Sequence, residues 1–185
     1  MLFRETQLPG AWLIDIDPVR DDRGFFSRTF CSREFGERGL ETNFVQHSTS
    51  FSAAPGTLRG MHFQMPPHGE VKMVGCAKGA IWDVIIDIRP ESPSFGQWLG
   101  VELTANNRRQ LYIPKGFAHG FETLSDETEV RYLISSFYEP AAATGYRHDD
   151  PAFRISWPLP VAVISDKDRC WPNFSTKSSR IPDLQ

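Results

Sequence analysis

Short segments in which apolar and polar residues alternate recur through the chain, and glycine or proline separates most of them. The 185 residues include 14 glycines and 14 prolines. Alternation with a period of two is typical of strands that cover a core with one face, and glycine and proline favour the turns between strands. Many short strands separated by turns predict an all-β protein, built as a sandwich, a jelly roll or a barrel.

The clearest predicted strand covers residues 80–88, which are rich in β-branched side chains and lie between Gly79 and Pro90. Other segments of strand character are 11–16, 25–30, 44–50, 71–76, 98–103, 110–113 and 129–136.

Helix is scarce in this sequence. One short helix is predicted to run to Arg38, with Ser32 as its N-terminal cap and Gly39 in the left-handed position beyond its end. Repeats and low-complexity linkers are missing from the sequence. We therefore expect one domain over residues 1–172, followed by a loosely held polar tail over residues 173–185.

Composition excludes several classes of protein. Lysine and arginine (20) do not balance aspartate and glutamate (23), so nucleic acid is not an expected partner. No apolar run approaches the roughly 18 residues of a membrane span, and the amino terminus does not resemble a signal peptide. Three distant cysteines, Cys31, Cys76 and Cys170, are typical of free thiols in a reducing compartment. The predicted location is the cytoplasm, without a membrane partner.

Two histidine-bearing segments remain as candidates for chemistry, since phosphate-loop, zincin and serine-hydrolase motifs are absent from the sequence. Residues 113–121 contain Pro-x-Gly-x-x-His, which resembles the second motif of the cupin superfamily. The first cupin motif normally carries His-x-His, whereas here His62 is followed two residues later by Gln64. Because an amide is a poor ligand for transition metals, no metal is expected. The alternative for His62 and His119 is a structural role in the core.

Other polar residues accompany these histidines. Arg59 precedes His62 by three positions, and a bend at Gly60 could turn both toward a cavity. Lys72 lies in an apolar strand, so its ammonium must find an anion or line a wet pocket. Tyr132 shares an apolar strand face, for which core packing is the alternative explanation. Taken alone, the segment around Asp168 resembles an exposed polar turn.

Seven segments, which include Arg59, His62, His119 and Asp168, occur in the same order in one enzyme family. They are Asp-Arg-Gly-Phe-Phe (22–26), Phe-Val-Gln (44–46), Leu-Arg-Gly-Met-His-Phe-Gln (58–64), Asp-Val with Asp-Ile-Arg (83–89), Ser-Pro-Ser-Phe-Gly-Gln-Trp (92–98), Gly-Phe-Ala-His-Gly-Phe (116–121) and Ser-Asp-Lys-Asp (165–168). From about residue 8 to residue 172 the chain resembles the dTDP-4-dehydrorhamnose 3,5-epimerase family. The resemblance implies an all-β, cupin-like double-sheet jelly roll with few short helices, no metal or other cofactor, and a homodimer that shares its amino-terminal strands.

The activity that the resemblance implies is inversion of C3 and C5 in a nucleotide-linked 4-keto-6-deoxyhexose, with dTDP as the carrier. His62 would be the base that removes a proton next to the ketone, and imidazole suits this role because it titrates near neutral pH. Asp168 would orient the imidazole. Lys72 would stabilise the negative charge that develops on the C4 oxygen. Tyr132 would donate a proton on the opposite face.

The resemblance also implies a set of residues that bind the nucleotide sugar. Arg23 and Arg59 match positions that bind the diphosphate, and guanidinium groups suit phosphate oxygens. Arg23 would reach the site from the partner subunit. His119 would lie near the sugar and phosphate. The predicted nucleotide pocket comprises Phe26, Gln46, Ser48 and Tyr138.

The chain departs from the family pattern at a few positions: Arg28 replaces an acidic residue, Ser48 an asparagine, Gly75 a basic residue, and His148-Asp149 a Trp-Asn pair. Since Arg28 and Ser48 fall in nucleotide-contacting segments, enolisation and epimerisation are firmer expectations than the carrier or the pathway. Three alternatives stay open, which are inversion of one centre only, a metal-dependent cupin enzyme, and a non-catalytic cupin that binds a sugar nucleotide.

Overall fold

The structure is a computed structural model and describes residues 1–174. Its described part contains short strands and two helices of five and four residues. The strands are β1 (Leu2–Glu5), β2 (Trp12–Asp15), β3 (Val19–Asp21), β4 (Gly24–Phe26), β5 (Gln46–Ser52), β6 (Thr57–Gln64), β7 (Lys72–Lys78), β8 (Ala80–Asp87), β9 (Trp98–Thr104), β10 (Gln110–Ile113), β11 (Phe117–Thr123), β12 (Thr128–Ile134), β13 (Ala143–Gly145) and β14 (Val163–Ile164), and the helices are α1 (Ser32–Gly36) and α2 (Asp166–Arg169).

Two six-stranded sheets form the body of the fold. The first sheet has the order β1-β2-β10-β7-β12-β5, and the second has the order β13-β6-β11-β8-β9 with β14 added in parallel to β6. The pairs along both sheets are antiparallel, and β3 and β4 form a separate hairpin. The predicted all-β double-sheet fold is therefore confirmed.

The main core lies between the two sheets. Val74 and Leu111 of the first sheet belong to the same buried cluster as Ile85 and Phe121 of the second. Burying a side chain of this kind fully stabilises the fold by about 1.5–3 kcal/mol. Met73, which precedes Val74 on β7, belongs instead to a cluster that contains Phe35 of α1. The alternation predicted from the sequence thus places adjacent residues on opposite faces of the first sheet.

Most predicted strands agree with the structure to within two residues, but the predicted strand at 25–30 is wrong in its second half. β4 ends at Phe26, and Phe30 packs against Phe35 and Phe44 with its ring edge-on. The helix near residue 32 is present but shorter, and Cys31, not Ser32, is its N-cap, without a side-chain cap bond. Gly39 has the predicted left-handed conformation, with φ +67°.

Strands β6 and β11 were not predicted as strands, although their histidine motifs were noticed. All seven residues of β11 are buried, so apolar and polar residues do not alternate along it as they do in a half-buried strand.

The predicted tail begins at residue 173, but Phe174 packs against Tyr146 and Phe153. The rest of that tail, residues 175–185, lies outside the described residues. No helix among residues 1–174 has the length and apolarity needed to cross a membrane.

Candidate active site

A cavity of about 670 Å³ is lined by residues of both sheets and by α2. Nine of the eleven residues predicted for the site line this cavity: Gln46, Ser48, Arg59, His62, Lys72, His119, Tyr132, Tyr138 and Asp168. The two others, Arg23 and Phe26, do not line it in a single chain.

Strand β6 carries both Arg59 and His62 into the cavity because its pairing with β11 is irregular. His119 pairs with His62, and the register shifts between His119 and Phe121. Gly60 has φ +148°, and a Cβ atom there would lie 2.6 Å from the Cα atom of Gly120. Only glycine fits so close an approach of two backbones. The predicted bend at Gly60 is therefore present, and it brings two residues of odd spacing to one side.

His62 and Asp168 are in direct contact. Nε2 of His62 lies 2.6 Å from Oδ1 of Asp168. The carboxylate also accepts hydrogen bonds from the Gly60 backbone N–H (3.2 Å) and from Nε1–H of Trp171 (3.2 Å). Burial opposes ionisation of this carboxyl, but the imidazole and the two N–H donors outweigh burial and hold the pKa of Asp168 below its usual range.

Asp168 is buried, so the exposed turn suggested by its segment alone is wrong. The Ser165 hydroxyl accepts a hydrogen bond from the Asp168 backbone N–H at 3.1 Å and caps the short helix α2. This cap fixes the backbone of Asp168 beneath β6, and the side chain then points at the imidazole.

Tyr132 enters the cavity from the first sheet, whereas His62 enters from the second. The phenol packs against the main core, and its hydroxyl lies 3.2 Å from Oγ of Ser50. Burial raises the pKa of Tyr132 above its usual value, so the phenol stays protonated at neutral pH. An imidazole and a protonated phenol therefore come from opposite sheets to one cavity.

Lys72 forms an ion pair, as its position in an apolar strand led us to expect. Its Nζ atom lies 2.8 Å from Oε1 of Glu70, which also lines the cavity. Glu70 was not predicted as a site residue. The sequence signal was present, since Glu70 stands two positions before Lys72 at the start of the same apolar segment.

His119 is buried and bonded to a second carboxylate. Its Nε2 atom lies 2.7 Å from Oδ1 of Asp83, and its ring meets that of Tyr132 edge-on with 6.4 Å between centroids. Asp83 was missed as a partner, although an aspartate in the middle of the apolar strand β8 indicates a buried polar contact.

Arg59 and Lys167 add positive charge to the cavity wall. Nε of Arg59 donates to Oγ of Ser52 (3.2 Å), and Nη2 donates to the Phe51 carbonyl (2.9 Å), so one edge of the guanidinium is anchored to β5. Lys167 was not predicted, although it lies in the motif 165–168. Its Nζ atom lies 5.3 Å from the centre of the Trp171 ring.

Gln46, Ser48 and Tyr138 lie at another part of the wall. The Gln46 side-chain oxygen accepts a hydrogen bond from the Tyr138 backbone N–H at 2.8 Å. Tyr138 is exposed, and its ring is thus free to contact a ligand. Ser48, which stands where the family usually has asparagine, lines the same cavity.

Arg23 and Phe26 lie in the β3–β4 hairpin and are exposed to solvent. The Arg23 side chain is 90% exposed and donates to Asp21 at 2.6 Å, and Phe26 is also exposed. Arg28, the basic residue at a usually acidic position, lies 3.3 Å from Glu34 and does not line the cavity.

Gln64 occupies the position at which cupins carry a second histidine, and its amide is engaged by the protein. Its oxygen accepts the Glu139 backbone N–H at 2.7 Å, and its nitrogen lies within hydrogen-bonding distance of the His68 carbonyl (3.0 Å) and Glu70 (3.2 Å). Among residues 1–174 no group of three histidine, cysteine or acidic side chains is arranged to hold a metal ion. The polar side chains of the cavity therefore form acid–base pairs, and they are not arranged as the ligands of a metal ion.

The two-sheet fold and its cavity of acid–base side chains define a cupin-like enzyme. Residues 5–176 match the family model described as dTDP-4-dehydrorhamnose 3,5-epimerase. The chain belongs to the dTDP-4-dehydrorhamnose 3,5-epimerase family, and it is a sugar epimerase.

Named relatives and solved structures agree with this family. The dTDP-4-dehydrorhamnose 3,5-epimerase of Methanothermobacter thermautotrophicus is 45% identical over 173 residues, which are 91% of this chain and 92% of the relative. A crystal structure of the Bacillus anthracis enzyme with TDP and PPi bound has a TM-score of 0.90 and 41% identity, over 94% of this chain and 99% of that one. A crystal structure of the 3'-monoepimerase ChmJ of Streptomyces bikiniensis in complex with dTDP-quinovose has a TM-score of 0.83 and 31% identity. The match covers 91% of this chain and 85% of that one.

Proposed function

We propose that this epimerase acts on a dTDP-linked 4-keto-6-deoxyhexose and inverts both C3 and C5. The observation that carries the proposal is the cavity in which the His62–Asp168 pair and the buried phenol of Tyr132 come from opposite sheets. Inversion requires removal of a proton from one face of a carbon and its replacement on the other face. A base and an acid on opposite walls meet that requirement.

In the first step the free ring nitrogen of His62 takes the proton from the carbon next to the ketone. The electron pair of the C–H bond moves to the C4 oxygen, and an enolate forms. Asp168 holds the other ring nitrogen and stabilises the imidazolium. The Lys72 ammonium stabilises the negative charge on the C4 oxygen.

In the second step Tyr132 donates its proton to the opposite face of the same carbon, and the ketone forms again. The phenolate then takes a proton from solvent, with the Ser50 hydroxyl beside it. His62 releases its proton to solvent, so the enzyme returns to its starting state. Repetition at the other carbon gives the double inversion.

Substrate binding is assigned to the remaining cavity residues. Arg59 and His119 bind the diphosphate and sugar, and Gln46, Ser48 and Tyr138 line the nucleotide pocket. Arg23 and Phe26 act from the partner subunit of a homodimer. The exposed hairpin supports this assignment, since apolar side chains such as Val19 and Phe26 are left uncovered in a single chain. We also propose a cytoplasmic location, where three free thiols are stable.

Deuterium exchange tests the reaction. The protein is incubated in D₂O with dTDP-, UDP-, CDP- and GDP-linked 4-keto-6-deoxyhexoses, and NMR follows the label. Deuterium at both C3 and C5 of the dTDP sugar is the expected result. Label at one carbon would support inversion of a single centre, the reaction named for the similar ChmJ structure. Binding of these sugars without any exchange would contradict the proposed reaction.

A further inference from the structure

The ion pair between Lys72 and Glu70 lies in the wall of the cavity. Nζ of Lys72 is 2.8 Å from Oε1 of Glu70, and the side chains are only 12% and 11% exposed. We propose that Glu70 is a positioning residue, which holds the Lys72 ammonium where the C4 oxygen of the substrate binds. This inference rests on the proposed function, because it assigns Glu70 a role in that reaction.

Lys72 needs such a holder because its side chain is long and flexible. An ammonium on a four-carbon stem loses about 2 kcal/mol of rotamer entropy when it is fixed. A second carboxylate, Asp168, lines the same cavity and would attract an unheld ammonium. Stabilisation of an enolate depends on a charge that is in place before the reaction begins. Glu70 supplies that fixed anchor from the segment just before β7.

Glu70 is itself held by Gln64. The Gln64 amide nitrogen lies 3.2 Å from Oε2 of Glu70, so the two carboxylate oxygens have different partners. Gln64 is buried and is fixed in turn by the Glu139 backbone N–H at 2.7 Å. The carboxylate therefore has one orientation, with Oε1 toward the ammonium. At the place where cupins bind metal with a histidine, this chain has an amide that orients a lysine through a glutamate.

The protein also contains a matched pair outside the cavity. Nζ of Lys78 lies 2.8 Å from Oε2 of Glu127, the same separation as in the cavity pair. Its side chains are 54% and 64% exposed, and neither residue lines the cavity. Exposed ion pairs of this kind contribute little to stability. Glu127→Gln is thus a control with the same chemistry and no expected effect on catalysis.

The test compares Glu70→Gln with Glu127→Gln in steady-state kinetics and in calorimetric binding of TDP. For Glu70→Gln we expect kcat to fall on the order of 10–100-fold, because the oxyanion donor is no longer held in place. KM and the Kd for TDP should change by less than about threefold, because the lost contact acts on the transition state. A kcat within twofold of the wild-type value would overturn the proposal.

A double-mutant cycle separates positioning from a general structural effect. In a Lys72→Met background, Glu70→Gln should cause no further loss of kcat, because its target has been removed. Multiplicative losses in the double variant would show that Glu70 acts independently of Lys72 and would overturn the proposal.

Crystal structures of the wild type and of Glu70→Gln give a readout that does not depend on activity. The Lys72 ammonium should leave its wild-type position in the variant, and an unmoved Nζ atom would overturn the proposal. Absence of exchange in the wild type with all four ketosugars would contradict the proposed function instead. The two failures are thereby distinguishable.

Discussion

Nε2 of His62 lies 2.6 Å from Oδ1 of Asp168, although 106 positions separate the two residues in the sequence. The contact ties the middle of β6 to α2 near the end of the described chain. The Asp168 side chain is 6% exposed and the His62 side chain 41%, so the ring is anchored from beneath while it faces the cavity. The buried carboxylate thus fixes which ring nitrogen carries a proton, and the other nitrogen is the proposed base.

We expect Asp168→Asn to lower kcat on the order of 10²-fold or more, because the amide neither stabilises the imidazolium nor fixes its tautomer. Asp166→Asn is the matched control, since Asp166 lies exposed on the same helix. Deuterium incorporation in a fixed time measures both variants. An Asp168→Asn enzyme with more than half of the wild-type rate would contradict the role of the pair.

Tyr132→Phe should retain substrate binding and lose inversion. The phenol is the proposed proton donor, and burial raises its pKa so that the proton is present at neutral pH. Loss of a general acid lowers kcat on the order of 10²–10⁴-fold, while the Kd for TDP should change less than about threefold. Tyr146→Phe, which removes a hydroxyl away from the cavity, should stay close to the wild type. Unchanged product formation by Tyr132→Phe would remove the phenol from the mechanism.

Mixing two inactive variants tests whether Arg23 serves the partner's cavity. Arg23→Ala and His62→Asn should each be nearly inactive as homodimers. In a hybrid dimer with crossed hairpins, one cavity has both wild-type residues and the other has both substitutions. Complete exchange of subunits at equal concentrations should therefore restore about a quarter of the wild-type activity.

The control for this experiment is the mixture of His62→Asn with Tyr132→Phe. Both residues line the cavity of the same chain, so no hybrid of these variants contains an intact site. No activity in the Arg23→Ala mixture after exchange would rule out a site shared through Arg23. Activity in the control mixture would show that recovery does not depend on the crossed hairpin.

The sequence predicted the site better than it predicted the partners of each site residue. Nine of the eleven predicted residues line one cavity, because the resemblance to the family covers nearly the whole chain and so assigns each residue a position in the fold. The burial of Asp168 depends on contacts with Gly60 and Trp171, which no local pattern reveals. The carboxylates of Glu70 and Asp83 lie in apolar segments and were recognisable as polar residues that need a partner, but the sequence does not show which side chains they meet.

Strands were predictable where one face meets the core and the other does not. On β7, Met73 and Val74 pack in different clusters, and alternation located that strand to within two residues. On β11 every residue is buried, so the pattern that predicts a strand is absent. The hairpin containing Arg23 could not be placed in the site, since a single chain does not contain the surface it is proposed to meet.

A buried carboxylate away from the cavity should make stability depend on pH. The Asp87 side chain is fully buried and accepts hydrogen bonds from Arg89 (2.6 Å) and from the hydroxyl of Ser94 (2.6 Å). Burial opposes its ionisation, but the guanidinium and the hydroxyl donors outweigh burial and hold the pKa of Asp87 below its usual range. A carboxyl whose pKa is lower in the folded state stabilises the fold at pH values above its unfolded pKa.

That stabilisation is lost as the pH falls from about 4 through the lowered pKa of Asp87 in the folded state. Asp87→Asn leaves the guanidinium of Arg89, which is 32% exposed, without its charge partner, so the free energy of unfolding should fall by about 1–3 kcal/mol at pH 7. Urea unfolding at pH 7, 5 and 3 measures this difference, which should shrink as the pH falls toward 3, because the unfolded chain then binds a proton at this carboxyl more readily than the folded chain does. Asp126→Asn, at an exposed position, should match the wild type throughout. A difference that stays constant from pH 7 to pH 3 would mean that Asp87 stabilises the fold through packing rather than through its charge.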